Sequence, residues 1–381
     1  MTLFQKIPSA EKLGSLQRLT LYSYCISSIS LLQHLYHVIL GMAIPKRMKP
    51  MISEAKVVDF HNHHIPARFE LTATRTQPAT QRARWEMLAR KLPDESLLLR
   101  DVREGHLAAR VVNIPGNLIA DADGHVPHET IMAMNDELAA LVARHPGHVY
   151  GLASLDGYDG DGSAREAERA ITELGLRGLF VDCARGDLLI DAPQARPTLE
   201  VAAKLGVPVF AHPIAPQPLT KQMTPYGLIG TLFARGAVNG ASLIALVEGG
   251  VFSELPGLRV VVTAHAIGGL AMTAGLSPQS RLPSGTIEVM RKHVFIDTTL
   301  VHPAVIRACV DLLGAANVLA GSDFPIAGEA PIRGPLMQTM QQARLSDAEQ
   351  DAIAAGNCLR LLGVAGTSAR PNVREPAGAI P

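Results

Sequence analysis

The sequence predicts an α/β fold, specifically a (β/α)8 TIM barrel, from three observations. Short β-branched runs alternate with segments of 3.6-residue apolar spacing through the middle of the chain. Most of those runs carry little internal polarity, as strands buried on both faces of a parallel sheet do. Histidines and aspartates stand at the C-terminal ends of several of them, namely His61, His63, His212, His265, Asp297 and Asp323. A doubly wound open sheet shares the alternation, but it concentrates ligands at one switch point between strands. Ligands contributed by strands one, five, six and eight suit a closed barrel with its site at the mouth.

The first fifty residues read differently from the rest. Leu19 to Pro45 carries no formal charge and is followed by "KRMK". Its length suits a membrane anchor, and "GMA" is a weak cleavage site for a signal peptide. Serines, Gln33, His34 and His37 interrupt the run, and basic residues on both flanks blur any orientation signal. The expected reading is an extended start, with the true beginning at Met48 or Met51. Residues 1–50 then form an N-terminal extension, 51–363 the barrel and 364–381 a Pro/Gly-rich tail expected to be disordered.

Strand one, "KVVDFH", runs into "NHH". Strict alternation of strand faces puts Asp59, His61 and His63 on one side and His64 on the other. An HxH pair at a strand end delivers two ring nitrogens within the ~2.0–2.1 Å reach of a shared zinc. Taken alone, it is equally a polar strand closure. Residues 64–97 exceed what a connection needs, so this segment is expected to build the substrate pocket. "ARVVNIP" is strand two, "HETIMAMNDELAALVARHPG" a helix, "HVYGLASL" strand three and "SAREAERAITELGLRG" a helix. "RGLFVD" is strand four, and "VPVFAH" is strand five, which His212 ends and Pro213 stops. The long stretch "PIAPQPLTKQMTPYGLIGTLFARGAVNG" comes next and is a second pocket or lid candidate. "LRVVVTAH" is strand six, ending in His265, and its trailing glycines let the backbone pass close to whatever His265 faces. "HVFIDT", the helix "HPAVIRACVDLLGAAN" and "NVLAGSD" complete the set, the last ending in Asp323.

Thirty-five basic residues balance thirty-five acidic ones, so nothing marks a nucleic-acid surface or an acidic tail. No membrane partner is expected for the barrel. Cys25, Cys183, Cys309 and Cys358 are far apart and form no CxxC pair. That argues against a disulfide framework or a thiolate zinc site and for a reducing, cytoplasmic setting. Cys183 closely follows a strand and reads as a small buried hydrophobe rather than a nucleophile.

HxH on strand one, His on strand five, "HAIGG" on strand six and "GSD" on strand eight resemble the amidohydrolase superfamily. The likeness runs from about Val57 to Gly363 and is strongest to the branch typified by aminocarboxymuconate-semialdehyde decarboxylase. "NDELAALVARHPGHVYGLASL", "GGVFSELPGLRVVVTAH" and "AAGNCLRLLG" support it. The resemblance implies one divalent metal ion, zinc or alternatively manganese, held by His61, His63, His212 and Asp323. It implies His265 as a general base or water-orienting group, with Asp323 sharing the proton transfer. It also implies a small-molecule substrate and a homodimer. Bimetallic relatives carry a lysine at the end of strand four; here "RGLFVDCARG" has none, so one metal is expected, with Asp182 as the seed of a weaker second site.

The chain departs from the decarboxylase pattern in two places. Ile214 stands where an aromatic follows the strand-five "HP", and Leu276 stands near the place of a carboxylate-binding arginine, with Arg281 only later. A guanidinium is the usual bidentate partner of a carboxylate. Its loss leads to the expectation of a hydrolase acting on a small amide, lactone, imide or ring-cleavage substrate. Decarboxylation of an aromatic or muconate-like acid is the alternative, and a non-catalytic binding barrel a minor one. Arg68, Arg75, Arg82, Arg84 and Arg90 in the first loop are candidate replacements for the missing arginine.

Overall fold

The computed structural model describes residues 56–364, except 73–78, 122–124 and 284. The expected N-terminal extension, the tail beyond 364 and Arg75 lie outside these residues. Eight barrel strands run β1 (Val58–His63), β2 (Ala109–Asn113), β3 (Val149–Gly151, resuming as Ala153–Ser154), β4 (Leu179–Asp182), β5 (Pro208–His212), β6 (Arg259–Val262), β7 (Val294–Asp297) and β8 (Val318–Leu319), with a short antiparallel hairpin, Ala184–Arg185 and Leu188–Leu189, after β4. Every neighbouring pair of barrel strands is parallel. β3 joins two sheets, its first half pairing with β2 and its second with β4. Backbone bonds from Phe60 N to the Ala320 carbonyl and from His63 N to the Phe324 carbonyl, both 2.8 Å, tie β8 to β1. The result is the expected (β/α)8 barrel.

Helices fill the returns. α1 (Ala79–Lys91) and α2 (Glu95–Arg103) follow β1, α3 (His128–Arg144) follows β2, α4 (Asp161–Thr172) follows β3 and α5 (Arg196–Leu205) follows β4. α6 (Leu219–Met223) and α7 (Gly227–Glu248) follow β5, and α8 (Val251–Glu254) leads into β6. α9 (Ile267–Gly275), α10 (Thr286–His293), α11 (Pro303–Leu313) and α12 (Arg333–Gln342) complete the outer layer. The long segment after β5 is thus largely helical, and the one after β1 carries a helix in its second half. In α7 the glycines serve close packing. A Cβ at Gly236 would lie 2.4 Å from the His265 carbonyl oxygen, and one at Gly240 2.9 Å from Gly269 Cα. Glycine inside a helix costs about 1 kcal/mol relative to alanine; here the tight helix contact offsets it.

The apolar pattern sorts into two layers. Val58, Phe60, Val111, Leu152, Phe180, Phe210, Val261 and Leu319 form one buried cluster inside the strands. Val57, Val112, Val181, Val209, Val260 and Ile296 belong to the larger cluster shared with the helices. The stretch Leu219–Glu248 is long and apolar enough to cross a membrane by length and composition. In this fold Ala234, Val238, Leu243 and Leu246 are buried, while Leu228, Ile229 and Phe233 are exposed. Cys183 is fully buried, and burial pushes its thiol up to about 11, which agrees with a packing role.

Strict alternation fails in β1. Its ladder pairs Asp59 with Arg110 and Asn62 with Val112, three steps against two, so the strand carries a bulge. A bulge inserts one residue and reverses the facing of the residues after it. Val58 and Phe60 face the interior before it, and His61 and His63 face the interior after it. Asp59 therefore points away from the two histidines, contrary to expectation. It meets Arg110 at 3.0 Å, and Arg110 in turn reaches Asp101 at 2.5 Å. Asn62 repairs the irregular ladder by donating to the carbonyls of Asp59 (2.7 Å) and Val111 (3.1 Å).

Candidate metal centre

Three strand ends deliver four side chains to one place: His61 and His63 from β1, His212 from β5 and Asp323 from just after β8. Ligand atoms of the three histidines all lie within 4.8 Å of one another. His61 Nε2 and His63 Nε2 are 3.2 Å apart, and Asp323 Oδ1 stands 3.1 Å from His63 Nε2 and 3.6 Å from His61 Nε2. The rings meet edge to face over the interior aromatics, with Phe210 4.8 Å from His61 and Phe180 5.0 Å from His212.

The other edge of each strand-one ring is held. His61 Nδ1 donates to Asp297 Oδ2 at 2.7 Å, and His63 Nδ1 donates to Asn113 Oδ1 at 2.7 Å. Each partner puts the proton on Nδ1 and leaves the Nε2 lone pair facing inward. Two inward lone pairs and a carboxylate oxygen at these separations repel one another unless a cation lies among them. His212 Nδ1 is buried without a hydrogen-bond partner. Donor number, donor type and second-layer bonds therefore fit a divalent ion.

Burial lowers the His61 pKa, but the Asp297 hydrogen bond and the Asp323 and Asp297 charges outweigh it, so the net shift is upward. Burial dominates at His63 and lowers it. His212 falls well below the usual imidazole range through burial, reinforced by the charges of His63 and Arg235. Burial would raise the Asp323 carboxyl, but the close approach of His63, with His61 and Arg235 nearby, holds it low.

The "GSD" of strand eight has a physical reading at each position. A Cβ at Gly321 would lie 2.9 Å from the Asp297 Cβ and 3.1 Å from that of His61, so only glycine lets the strands approach. Ser322 Oγ donates to Asp59 Oδ2 at 2.6 Å and its N–H to Asp59 Oδ1 at 3.0 Å. Asp323 has φ 59, a left-handed conformation that aspartate tolerates better than most residues. The bond from Ser322 to Asp59 locks the turn that aims the carboxylate.

His265 sits in a short 3-10 turn after β6, half-buried, with Nδ1 lacking a partner. Burial lowers its pKa, opposed by Asp297 and Asp323. Ala264 N–H donates to Asp297 Oδ1 at 2.8 Å, so Asp297 ties the His265 turn to the His61 ring. Sequence reading noted Asp297 at a strand end but gave it no role. Asp182 pairs in register with His212, and burial pushes its carboxyl up to about 7. His64, expected on the loop side away from the centre, is buried there, and burial lowers its pKa to about 4.

Of the arginines proposed for the pocket, Arg68 pairs with Glu137 at 3.1 Å, and Arg84 donates to the Ile326 carbonyl at 3.0 Å. Arg281 is exposed beside Glu248. Arg235, on α7, was missed, although it is the one formal charge in the segment 222–247. A cleft beside the centre is lined by Ser154, Asp156, Tyr158, Phe180, Asp182 and Arg185.

Asp297→Asn is expected to lower metal affinity about 10- to 100-fold, the usual cost of losing a partner behind a ligand. Titration of the metal-free protein with manganese by calorimetry, beside the parent, reads it.

Fold and site together define a barrel protein with a metal-type centre at the C-terminal ends of its strands. The chain belongs to the amidohydrolase family, whose sequence model matches residues 58–364. It is 27% identical over 241 residues to 2-amino-3-carboxymuconate-6-semialdehyde decarboxylase of Dictyostelium discoideum, covering 61% of this chain and 66% of that one. The match thus spans just under two thirds of that relative's length. Among solved structures it is similar to 5-carboxyvanillate decarboxylase of Sphingomonas paucimobilis, with TM-score 0.70 and 21% identity over 81% of this chain and 99% of that one. A dihydroxybenzoic acid decarboxylase of a Polaromonas species, bound to manganese and 2-nitroresorcinol, gives TM-score 0.68 and 20% identity over 81% and 97%. These relatives are decarboxylases, which overturns the expectation of a hydrolase. That expectation rested on the arginine missing after β6 and on Ile214 in place of an aromatic.

Proposed function

We propose that this chain is a metal-dependent, non-oxidative decarboxylase of a small aromatic or muconate-like acid. The convergence of three imidazoles and a carboxylate on one point carries the reading, and the decarboxylases among its relatives support it. His61, His63, His212 and Asp323 would hold one divalent ion. Manganese, present in the Polaromonas neighbour, is the first to test, with zinc beside it. When bound, the ion supplies Lewis acidity at the strand ends.

Decarboxylation of this kind breaks one carbon–carbon bond, leaves its electron pair on the ring or chain carbon, and puts a proton there as carbon dioxide departs. The chain must therefore hold a proton close to that carbon. His265 does so in this reading as an imidazolium, charged by a proton from solvent before it delivers one: its Nδ1 has no competing partner, and burial, which lowers its pKa, makes the charged ring a ready donor. Asp323 touches the histidines through Oδ1 and shares the proton transfer through its second oxygen. Phe180 and Phe210 wall the centre and keep water from its floor.

The test is product analysis with manganese-loaded protein and a panel of hydroxylated benzoates and muconate-type acids in deuterated water. The expected outcome is carbon dioxide in a one-to-one ratio with product, and one deuterium on the vacated carbon. Oxygen from water in the organic product, without carbon dioxide, would sink the proposal.

A further inference from the structure

α7 lies across the exits of β5 and β6, and three of its side chains share one face. Ser242 Oγ donates to the Cys183 carbonyl at 2.6 Å. Asn239 Nδ2 donates to the Ala211 carbonyl at 2.9 Å, and its Oδ1 accepts from Thr263 N–H (3.1 Å) and Oγ1 (3.0 Å). Residues three, four and seven apart lie on one helix face, which puts Arg235 one turn beyond Asn239 on the same stripe. Its neighbour Gly236 presses on the His265 carbonyl. Arg235 thus stands over the strand ends, and its charge is felt by Asp323, Asp182, His212 and His265.

Arg235 is half-buried, and among the described residues it has no hydrogen bond or ion pair. The other guanidiniums near the centre are engaged. Arg185 grips both oxygens of Asp156 at 2.7 Å, and Arg110 lies between Asp59 and Asp101. Arg84 is bonded to a carbonyl, and Arg281 is exposed beside Glu248. A half-buried guanidinium without an anion is costly, and its planar fork matches a carboxylate through two parallel bonds.

We propose that Arg235 binds a carboxylate of the substrate at the barrel mouth, so that α7 supplies the guanidinium absent from the segment after β6. This inference rests on the decarboxylase reading for its class of ligand, an organic acid. It makes Arg235 a specificity residue that separates the acid from its carboxylate-free counterpart.

Manganese-loaded full-length parent, Arg235→Gln and Arg235→Lys are compared by calorimetry with paired probes, each acid beside its carboxylate-free counterpart, starting with salicylate and phenol. In Arg235→Gln the affinity for the acids is expected to fall about 10- to 100-fold, as for loss of a charge-assisted bond. Phenol affinity and metal content at saturating manganese stay unchanged, and Arg235→Lys recovers part of the loss. Equal acid affinity in parent and Arg235→Gln would overturn the inference, as would an equal loss for acid and phenol, or a parent that does not prefer the acid. Acid binding that depends on Arg235 without any carbon dioxide release would remove the decarboxylase reading and leave the inference standing. Carbon dioxide release undiminished in Arg235→Gln would do the reverse.

Discussion

Replacing His61 and His63 together by alanine is expected to abolish both metal binding and turnover. Elemental analysis of the parent should find about one divalent ion per chain, and the variant none. Both rings lie on the same bulged strand, and their Nε2 atoms, 3.2 Å apart, provide half of the proposed donor set. The remaining His212 and Asp323 offer two donors, too few for a stable site of four ligands. Loss of the ion removes several kcal/mol of charge stabilisation from the reaction. At 1.36 kcal/mol per tenfold, that is roughly 10³-fold or more in rate. Retained turnover in a variant shown to be metal-free would remove the metal from the proposed function.

Replacing Arg110 by alanine is expected to be the most destabilising single change. The side chain is buried and pairs with Asp59 at 3.0 Å and Asp101 at 2.5 Å, donates to Asn62, and stacks 3.9 Å from the Phe324 ring centroid. Its removal takes the shared cation from two buried carboxylates, leaving Asp59 its bonds from Ser322 and Asp101 its pair with Arg100 at 3.0 Å. Breaking a buried pair on one side costs about 3–5 kcal/mol, or roughly 6–20 °C in Tm for a domain of this size. The sign of the pH dependence comes from Asp59. Burial already raises its pKa against the opposing Arg110 charge, and without Arg110 it rises further. A carboxyl raised in the folded state is tolerated below its unfolded pKa and destabilises as pH climbs toward the folded one. Melting of chelator-treated protein at pH 5 and pH 8 should therefore show the larger deficit at pH 8. An equal deficit at both would mean that the loss is packing alone. Because Asp59 also anchors Ser322, the variant should bind manganese more weakly as well.

Asp59 and Arg110 also explain where sequence reading stopped. Alternation assigns Asp59 to the same face as His61, and a single inserted residue between Asp59 and Asn62 reverses it. Nothing in "VVDFHNHH" announces that bulge, since it exists only against the partner strand. Asp297 was visible as a strand-end polar residue, but its bond to His61 spans 236 positions. Arg235 lay within a segment already noted as too long for a connection. Its position over the centre depends on the backbone contacts of Gly236 and Gly240, which sequence spacing does not reveal.

The sequence by itself determined the barrel and its strand ends, and it pointed to His61, His63, His212 and Asp323, which the fold brings together, and to His265 beside them. Those features are local: each strand is an apolar run, and in this architecture function comes directly from the residue that ends the run. Tertiary structure decided which way the histidines face, what holds their rings, and where α7 lies over the strands. These are contacts between segments far apart in the chain, set by close packing of helix and strand rather than by any pattern along one of them.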